Sequence, residues 1–566
     1  MDKSAVLHRY FGHSAFRIGQ EALIDTLLRG KDALGIMPTG AGKSLCYQVP
    51  AAMVDGITLV ISPLISLMKD QVFSLNQSGL KAAYINSTLS PGQQREALRR
   101  ASLGAYRLIY ITPERLRLDS FIRFAKNAKI ALIAVDEAHC VSQWGQDFRP
   151  AYLDIADFID TLPKRPPVGA FTATATKQVQ KDIVRLLRLN KPFLSTQSFD
   201  RPNLYFEVRR PKSKADELLR LMRGKEEQCG IIYCSTRKNV DKVCDTLRRT
   251  GISTVRYHAG LSEDERKLAQ EDFQFDKAKV MVATNAFGMG IDKSNVSYVY
   301  HYNMPKDIES YYQEAGRAGR DGSPAECVLL FGKQDILLNK YLIDRSSDMP
   351  DIDEKEKEAL KQKQHLRLQK MIDYCQISGC LRRYILGYFG EISKKRCDSC
   401  SGCNGLKPLL KVRNPEQETL PNDIESAFTA LRLLRNRLAL EHKVPAYLIF
   451  TDSSLREMAT NLPLTMESFF NISGVGEKKA QSYGEVFLSL IASLKSVLRY
   501  GPISKQDASL LANQIYENTK PWSDTELLRL RLLASQRMSA HTIAAELKRS
   551  LWQVERALER IREKKQ

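Results

Sequence analysis

Residues 33–44 read Ala-Leu-Gly-Ile-Met-Pro-Thr-Gly-Ala-Gly-Lys-Ser, an apolar run followed by a glycine-rich loop. Glycines in such a loop let backbone N–H groups surround a phosphate, the lysine neutralises phosphate oxygens, and the hydroxyl can bind Mg²⁺. Met37 stands where the usual pattern has its first glycine, and a chance glycine-rich turn is the alternative interpretation. The predicted nucleotide-binding residues are Thr39, Gly40, Gly42, Lys43 and Ser44, with Ser44 also a magnesium ligand.

Short apolar runs alternate with helix-length segments from about residue 30 to residue 335. Buried parallel sheets of the α/β class produce this pattern. There are about twice as many runs as one sheet needs, and residues 191–212 separate two groups of four. We therefore predict two α/β lobes, followed after residue 345 by helices without comparable strands. The predicted strands cover residues 58–62, 108–112, 131–135, 168–172, 230–234, 254–258, 279–283 and 296–300.

Composition points to a large protein that binds a polyanion. At 566 residues the chain should divide into roughly three to five domains. Its net charge of +20 most often marks a nucleic-acid surface, although ribosomal, membrane-surface and merely basic soluble proteins share such a surplus. The N-terminus lacks a signal-peptide core and no apolar run is long enough to span a bilayer, so we expect an intracellular protein without a membrane partner.

A pair of carboxylates follows the apolar run 131–135, in the sequence Asp136-Glu-Ala-His139. A carboxylate at the carboxyl end of a parallel strand lies where a phosphate-bound Mg²⁺ would sit, which predicts Asp136 as the metal partner. Glu137 would then orient and deprotonate the attacking water. His139 alone would be interpreted as a core histidine, but beside these carboxylates we predict a γ-phosphate or interlobe sensor.

Two arginines in the second predicted lobe, Arg317 and Arg320, are three residues apart and should lie on one helical face. Arginine charge that stabilises a transferring phosphoryl group raises its rate by orders of magnitude. We predict that both are catalytic and that hydrolysis requires the lobes to close. A solvated basic helix end is the alternative.

Four cysteines, Cys380, Cys397, Cys400 and Cys403, are spaced C-x16-C-x2-C-x2-C, and close thiolate pairs favour tetrahedral Zn²⁺. Cys375 is a fifth candidate. An iron–sulfur cluster also takes four thiolates. Four protein ligands leave no open position, so the role should be structural.

Residues 140–150, Cys-Val-Ser-Gln-Trp-Gly-Gln-Asp-Phe-Arg-Pro, resemble the aromatic-rich loop of the RecQ family of DNA helicases. Trp144 and Phe148 can stack on bases and Arg149 adds charge, although without this context the aromatic residues would be assigned to the core. The resemblance covers about residues 5–500 and implies two RecA-like lobes, ATP, Mg²⁺ and Zn²⁺. It also favours Cys380 over Cys375.

Further motifs resemble the same family. The resemblance implies that Arg17 stacks on adenine and that Gln20 contacts the base edge. It places Asp292 near the nucleotide and Thr284 near the DNA strand. Residues 62–71 and 112–115 resemble backbone-tracking motifs, and residues 171–176 resemble the hydroxyl-rich segment that links hydrolysis to lobe movement.

Beyond the cysteines, the linker 406–423 stands where longer RecQ chains have a winged helix. Residues 472–480 resemble part of a helicase-and-RNaseD C-terminal (HRDC) domain, in which Lys478 and Lys479 could contact DNA, with a plain inter-helix turn as the alternative. The last segment resembles a helix-turn-helix whose seam contains Ile543, Leu547, Val554 and Leu558, and a protein-docking module is the alternative. The predicted domains are lobe 1 (1–200), lobe 2 (201–340), the zinc-binding subdomain (341–405), the linker (406–423), the HRDC-like domain (424–500) and the helix-turn-helix-like domain (501–566).

Together these features predict an ATP-dependent DNA helicase of 3′-to-5′ polarity, acting in recombination, repair and replication. Expected partners are single-stranded and forked DNA, and single-strand-binding and other repair proteins. We expect a cytoplasmic location, on the nucleoid if the source is bacterial. A double-stranded DNA translocase, an RNA helicase and a scaffold with a degenerate ATPase are the other hypotheses. The intact Lys43, Glu137, Arg317 and Arg320 argue against the last.

Overall fold

The computed structural model describes residues 2–143, 148–287, 293, 295–345, 354–405, 422–442, 444–519, 524–536, 538–547, 549, 554 and 557–558. The chain divides into two compact units, Met1–Val412 and Arg413–Gln566. Within the described residues, no helix is both long and apolar enough to cross a membrane.

Lobe 1 is built on a seven-stranded sheet in the order β3-β4-β2-β5-β6-β1-β7, and every pairing in it is parallel. Strands β1, β2, β4 and β6 are buried along their whole length, as expected for a sheet covered by helices on both faces. The strands are β1 (Ala33–Ile36), β2 (Ile57–Ile61), β3 (Ala82–Ile85), β4 (Leu108–Ile111), β5 (Ile130–Val135), β6 (Val168–Thr172) and β7 (Phe193–Thr196).

Helices connect these strands and cover the sheet. Amphipathic spacing explains how they do so: the helix Lys177–Leu186 buries Val179 and Ile183, one turn apart, against the core. The helices of lobe 1 are α1 (Lys3–Val6), α2 (Gln20–Leu28), α3 (Leu45–Met53), α4 (Ile65–Ser78), α5 (Pro91–Ser102), α6 (Asp119–Asn127), α7 (Asp154–Asp160) and α8 (Lys177–Leu186), with a π-helical turn at Leu7–Phe11 and 3₁₀ turns at Pro113–Arg117, Ala138–Val141 and Pro150–Tyr152.

Lobe 2 repeats the plan with six parallel strands in the order β10-β11-β9-β12-β13-β8. Its strands are β8 (Leu204–Arg209), β9 (Gly230–Tyr233), β10 (Thr254–Tyr257), β11 (Val280–Ala283), β12 (Tyr298–His301) and β13 (Ala325–Leu330). Its helices are α9 (Lys214–Met222), α10 (Arg237–Arg249), α11 (Glu263–Gln274), α12 (Ile308–Ala315) and α13 (Lys333–Arg345), with a 3₁₀ turn at Asn285–Phe287.

The eight predicted strands agree with the structure to within about two residues, which is ordinary for element boundaries. The interval 191–212, predicted to separate the sheets, also contains β7 of the first sheet and β8 of the second. Seven residues, 197–203, therefore join the two lobes, and we call them the interlobe linker.

The cysteine-bearing region packs on lobe 2 through α14 (Glu354–Gln376), α15 (Leu381–Tyr388) and α16 (Ser401–Asn404). Phe206 of β8 pairs with Cys400 in an isolated β-bridge. Side chains of α14 and α15 are buried in the same apolar cluster as Phe206. This region is therefore part of the first unit's core.

In the part of the second unit that the structure describes, all of the regular secondary structure is helical. Helix α17 packs against α19, α21 and α22, with Phe450, Phe469 and Phe487 in the core. Helix α22 belongs to this bundle by its packing, although the sequence assigned it to the last domain. The helices are α17 (Asn422–His442), α18 (Ala446–Ile449), α19 (Asp452–Asn461), α20 (Met466–Phe470), α21 (Glu477–Val497), α22 (Lys505–Thr519), α23 (Asp524–Ser535) and α24 (Ala540–Leu547), with a 3₁₀ turn at Leu498–Tyr500.

Candidate active site

The phosphate loop runs from the end of β1 to the start of α3, as the sequence predicts. Gly40 (φ 82°) and Gly42 (φ 80°) adopt left-handed backbone conformations that other residues rarely reach. Ser44 is the residue before α3, so its hydroxyl stands at a helix N-terminus, where backbone N–H groups favour anions.

The two predicted adenine-contacting residues lie against this loop. The Gln20 side-chain amide donates hydrogen bonds to the carbonyls of Ala41 and Gly42, both at 3.1 Å. The Arg17 guanidinium donates to the Gly40 carbonyl. Arg17 and Gln20 therefore connect the start of α2 to the phosphate loop.

The predicted carboxylate pair stands beside the loop lysine, directly after β5. Lys43 Nζ lies 3.3 Å from Glu137 Oε1 and 4.0 Å from Asp136 Oδ1. Glu137 has φ 45°, a left-handed conformation that is strained for a residue with a side chain. The backbone turn aims its carboxylate back across the loop.

The electrostatics of the two carboxylates differ. Burial raises the pKa of Asp136 to about 6, against the opposing attraction of Lys43. Burial alone would also raise the pKa of Glu137, but Lys43, His139 and Arg317 together hold that pKa below its ordinary value. Glu137 is therefore kept ionised, as a proton acceptor must be.

The two predicted arginines of lobe 2 lie in a turn, not on a helix. Helix α12 ends at Ala315, and Gly319 has φ 55°, so the prediction of a shared helical face is wrong. Residues 316–320, which we call the arginine segment, follow α12. Arg317 is 7% exposed, and its charge is among the causes that lower the pKa of Glu137.

The arginine segment touches the phosphate loop. Thr39 Oγ1 donates a hydrogen bond to the Gly316 carbonyl at 3.2 Å. A Cβ atom on Gly316 would lie 2.2 Å from Thr39 Oγ1, so only glycine permits this approach. The two predicted halves of the hydrolysis site are therefore adjacent.

Arg201, in the interlobe linker, is a site residue that the sequence analysis missed. Its Nη1 donates to the Thr39 carbonyl at 2.7 Å, and its Nη2 donates to the Gly319 carbonyl at 2.8 Å. Burial, followed by repulsion from Arg320 and Arg17, lowers the pKa of Arg201. The guanidinium thus joins both lobes, with the cationic side chains of Arg17 and Arg320 nearby.

A chain of contacts leads from the carboxylates to lobe 2. Glu137 Oε2 lies 3.4 Å from His139 Nδ1, which lies 2.8 Å from Thr172 Oγ1. Thr172 Oγ1 donates to the Thr174 carbonyl at 3.0 Å. The Gln313 side-chain amide of α12 donates to Thr174 Oγ1 at 3.4 Å. We call this chain the threonine relay.

The four predicted metal ligands form one cluster. The sulfur atoms of Cys380, Cys397, Cys400 and Cys403 all lie within 4.8 Å of one another. Cys380 Sγ is 3.5 Å from Cys397 Sγ and 3.8 Å from Cys400 Sγ, and a tetrahedral zinc–thiolate site with bonds near 2.3 Å requires about 3.8 Å. The donor set therefore fits Zn²⁺, and Cys375 is not part of it.

Comparisons with known domain families cover most of the chain. DEAD/DEAH box helicase matches residues 17–183, and the helicase conserved C-terminal domain matches residues 213–322. RecQ zinc-binding matches residues 333–404, and HRDC matches residues 425–491.

Bacterial relatives match along nearly their whole length. The ATP-dependent DNA helicase RecQ of Bacillus subtilis is 38% identical over 86% of this chain and 98% of its own length. The chain belongs to the RecQ family. RecQ helicases of Pasteurella multocida (35% identical, 87% of this chain and 94% of the relative) and Haemophilus influenzae (34%, 87% and 96%) agree. The chain is accordingly an ATP-dependent DNA helicase that uses ATP with Mg²⁺ and has a zinc centre.

The RecQ aromatic-rich loop is described in part. Trp144 lies outside the described residues, and Phe148 and Arg149 are half-buried. Arg149 Nη1 donates to the Pro63 carbonyl at 3.1 Å, and its backbone N–H donates to the Cys140 carbonyl at 2.9 Å. The loop is thereby attached to a segment that resembles a backbone-tracking motif.

Lobe 2 contains two further predicted site residues, Thr284 for DNA and Asp292 for the nucleotide. Thr284 is 8% exposed, and its backbone N–H donates to the Tyr257 carbonyl. Asp292 lies outside the described residues.

In the HRDC bundle the two candidate lysines differ. Lys478 is exposed, whereas Lys479 is half-buried with its ammonium 6.0 Å from the centre of the Phe450 ring. Burial lowers the pKa of Lys479 to about 8. Glu457 accepts the backbone N–H of Ser473 in the adjacent turn, which opposes a phosphate there.

The last segment has its own small apolar core. The predicted seam residues Ile543 and Val554 are buried, and Leu547 and Leu558 pack against them. Leu530 and Leu533 of α23 complete the cluster.

Proposed function

We propose that this RecQ helicase unwinds duplexes by moving 3′ to 5′ along a single strand, with ATP hydrolysis coupled to closure of the two lobes. The contact between Thr39 and the arginine segment is the observation that carries the proposal, since it makes the site depend on both lobes. The family membership supports the polarity.

The chain's own side chains divide the work of hydrolysis. Lys43 would hold the β- and γ-phosphates, and Ser44 and Asp136 would hold Mg²⁺, which when bound neutralises phosphate charge. Glu137, kept ionised by its cationic neighbours, would take the proton of the attacking water. Arg317 and Arg320 would stabilise the charge that develops on the transferred group.

The threonine relay supports coupling to movement. A change in the Glu137 carboxylate alters its contact with His139, and through Thr172 and Thr174 it reaches Gln313 of α12. We infer that His139 senses the state of the site in this way. Arg17 and Gln20 would contact adenine from their place beside the loop, with Asp292 near the nucleotide.

Single-strand binding would use the aromatic-rich loop and lobe 2. Trp144 and Phe148 would stack on bases, and Arg149 and Thr284 would contact the backbone. Arg149 supports this role because it connects the loop to Pro63. Lys478 is a further proposed DNA contact, with Lys479 beside it.

Unwinding of matched 3′-tailed, 5′-tailed and blunt duplexes, with ATP and Mg²⁺, tests the polarity. We expect strand displacement on the 3′-tailed duplex alone. Preference for the 5′ tail would refute the polarity. DNA-stimulated hydrolysis without displacement on any duplex would indicate a translocase, and stronger stimulation by RNA would indicate an RNA helicase.

The domain division, partners and location rest on the same family. We propose lobe 1 (1–200), lobe 2 (201–340), the zinc-binding subdomain (341–405), the linker (406–423) and two helical domains, with the boundary between those two moved from 500 to near 520 because α22 packs with the bundle. Forked DNA, single-strand-binding protein and other repair proteins are the proposed partners. We place the chain in the cytoplasm, on the nucleoid of a bacterium.

The last segment is proposed as a duplex anchor in place of a winged helix. Residues 520–566 contain 11 Lys and Arg against 6 Asp and Glu. Truncation after Thr519 keeps α22 and should weaken forked-duplex binding, with a log–log salt slope shallower by about 2 because phosphate contacts are lost. Unchanged affinity across the salt series, with unwinding intact, would instead favour a protein-docking module.

A further inference from the structure

The interlobe linker is held by contacts on two sides. One side faces the proposed nucleotide site, and the other faces the zinc-binding subdomain. On the nucleotide side, Arg201 donates four hydrogen bonds to backbone carbonyls. One goes to the phosphate loop, and three go to the arginine segment at Gly316, Ala318 and Gly319, at 2.7 to 3.4 Å. Asn203 adds a hydrogen bond to the Gly319 carbonyl at 2.9 Å.

Arg201 therefore fixes the backbone that presents Arg317 and Arg320. Three of its four acceptors belong to a short turn beyond the end of α12, where few helical hydrogen bonds restrain the chain. A planar guanidinium with several N–H groups can satisfy acceptors on both lobes at once, whereas a lysine ammonium is a compact point charge. The contacts are to carbonyls, so they position the catalytic arginines.

On the opposite side, the linker is held by α15 of the zinc-binding subdomain. The Arg382 guanidinium is 6% exposed and donates to the carbonyls of Arg201 (2.7 Å) and Leu204 and to the carboxylate of Asp200. The same arginine side chain fixes the main chain on both sides of Pro202.

Aromatic and carboxylate contacts reinforce this attachment. Phe199 stacks on Phe389 with ring centres 4.4 Å apart. Glu391 accepts hydrogen bonds from Ser198 Oγ at 2.6 Å and from the Phe199 backbone N–H at 2.8 Å. The linker thus packs on the end of α15 as well as on its first turn.

Helix α15 in turn begins at the zinc cluster. Cys380 is its N-cap, and Arg382 lies two residues further along. Cys400, another cluster member, pairs with Phe206, and the Arg382 guanidinium lies over that ring at 5.3 Å. The cluster, Arg382, the linker and the arginine segment form one continuous set of contacts.

We propose that Arg201 is a positioning residue for ATP hydrolysis, and that the zinc-binding subdomain sets its place through the contact of Arg382 with Asp200 and the linker backbone. This role deepens the hydrolysis site proposed above and rests on it. The subdomain then acts on turnover as well as on folding. The hydrogen bonds of the Arg201 guanidinium described above all go to backbone carbonyls, and none goes to a cysteine of the metal cluster.

Steady-state ATP hydrolysis by the full chain, with saturating single-stranded DNA and Mg²⁺, tests the role of Arg201. Arg201→Lys keeps the positive charge but loses the planar guanidinium and its several N–H donors. We expect kcat to fall about tenfold, with KM for ATP changed less than about threefold. Arg188→Ala is the matched control, because Arg188 is exposed and pairs with Asp157 within lobe 1. A kcat within twofold of wild type, or a raised KM at unchanged kcat, would overturn the positioning role.

A second variant tests the attachment to the zinc-binding subdomain. The Asp200 side chain is 40% exposed, so Asp200→Ala should fold normally and keep its zinc. We expect kcat to fall about threefold because one of the hydrogen bonds that hold the linker is lost. Arg383→Ala, on the exposed face of the same helix turn, is the control. An unchanged kcat in Asp200→Ala, with zinc content equal to wild type, would overturn the proposed coupling.

Lys43→Ala, assayed in parallel, separates the two proposals. If Lys43→Ala still hydrolyses ATP, the proposed hydrolysis site itself is wrong. If Lys43→Ala is inactive and Arg201→Lys is as active as wild type, the site stands and the inference about Arg201 fails.

Discussion

The two lobes have the same sheet plan but carry different chemistry. Lobe 1 places its functional residues after β1 and β5, where backbone N–H groups, a lysine and two carboxylates converge within one lobe. Lobe 2 contributes through α12 and the turn after it, which contact the site at Thr39, Thr174 and Arg201. On the function proposed above, most contacts with the nucleotide come from lobe 1, whereas hydrolysis depends on the contact between the two lobes.

The comparison predicts that substitutions in the two lobes separate binding from turnover. A variant in lobe 1 should lose both, because its residues would hold the phosphates and the metal. A variant in lobe 2 should keep binding and lose turnover, because its arginines would act on charge that develops during the reaction.

The largest effect is expected in lobe 1. Lys43→Ala removes the charge that faces Glu137 and that would hold the phosphates, so hydrolysis should fall to background and ATP affinity should fall with it. Single-stranded DNA binding should be retained, which fluorescence anisotropy with a labelled oligonucleotide would show. ATP affinity equal to wild type would show that Lys43 does not hold the nucleotide.

A smaller effect is expected in lobe 2. Arg317→Ala should lower kcat by about 10³-fold, as for arginines supplied across an interface, with little change in ATP affinity. Equilibrium binding of a fluorescent ATP analogue separates the two quantities. Arg345→Ala, at the exposed end of α13, is a control of the same residue type. Loss of ATP binding in Arg317→Ala would mean that lobe 2 also binds ATP before the reaction begins.

A still smaller effect than that of Arg317→Ala is expected in the threonine relay between the lobes. Gln313→Ala removes one hydrogen bond to Thr174, worth about 1 kcal/mol, so DNA-stimulated kcat should fall about fivefold. Hydrolysis without DNA should change less, since the relay serves coupling. An equal loss with and without DNA would place Gln313 in the hydrolysis site and not in the coupling path.

Much of this arrangement could be predicted because local chemistry fixes it. A phosphate loop, a carboxylate pair after a strand and two Cys-x2-Cys spacings each need particular residues at short intervals. The parallel sheets were likewise predictable, because strands such as β2 and β4 are apolar and buried throughout. Each of these elements can therefore be predicted from a short stretch of sequence.

The remainder depends on tertiary contacts. Strand β7 exposes Phe193 and Leu194, so it lacks the apolar burial that marks the other strands. Arg201 has no motif around it, since its four acceptors come from two distant loops. Its neighbours Pro202 and Asn203 mark a turn and nothing more. The end of α12 at Ala315 was also missed, although Gly316 and Gly319 favour that break.

Glu137 adopts a conformation that costs a side-chain-bearing residue roughly 1–2 kcal/mol, and its side chain is only 19% exposed. If Glu137 takes the proton of the attacking water as proposed, selection for turnover opposes selection for folding at this position. A lineage that no longer needed hydrolysis would be free to replace it with asparagine, which tolerates left-handed backbone and carries no charge. Family members that have lost ATP hydrolysis in this way would then unfold at a higher temperature than their active relatives.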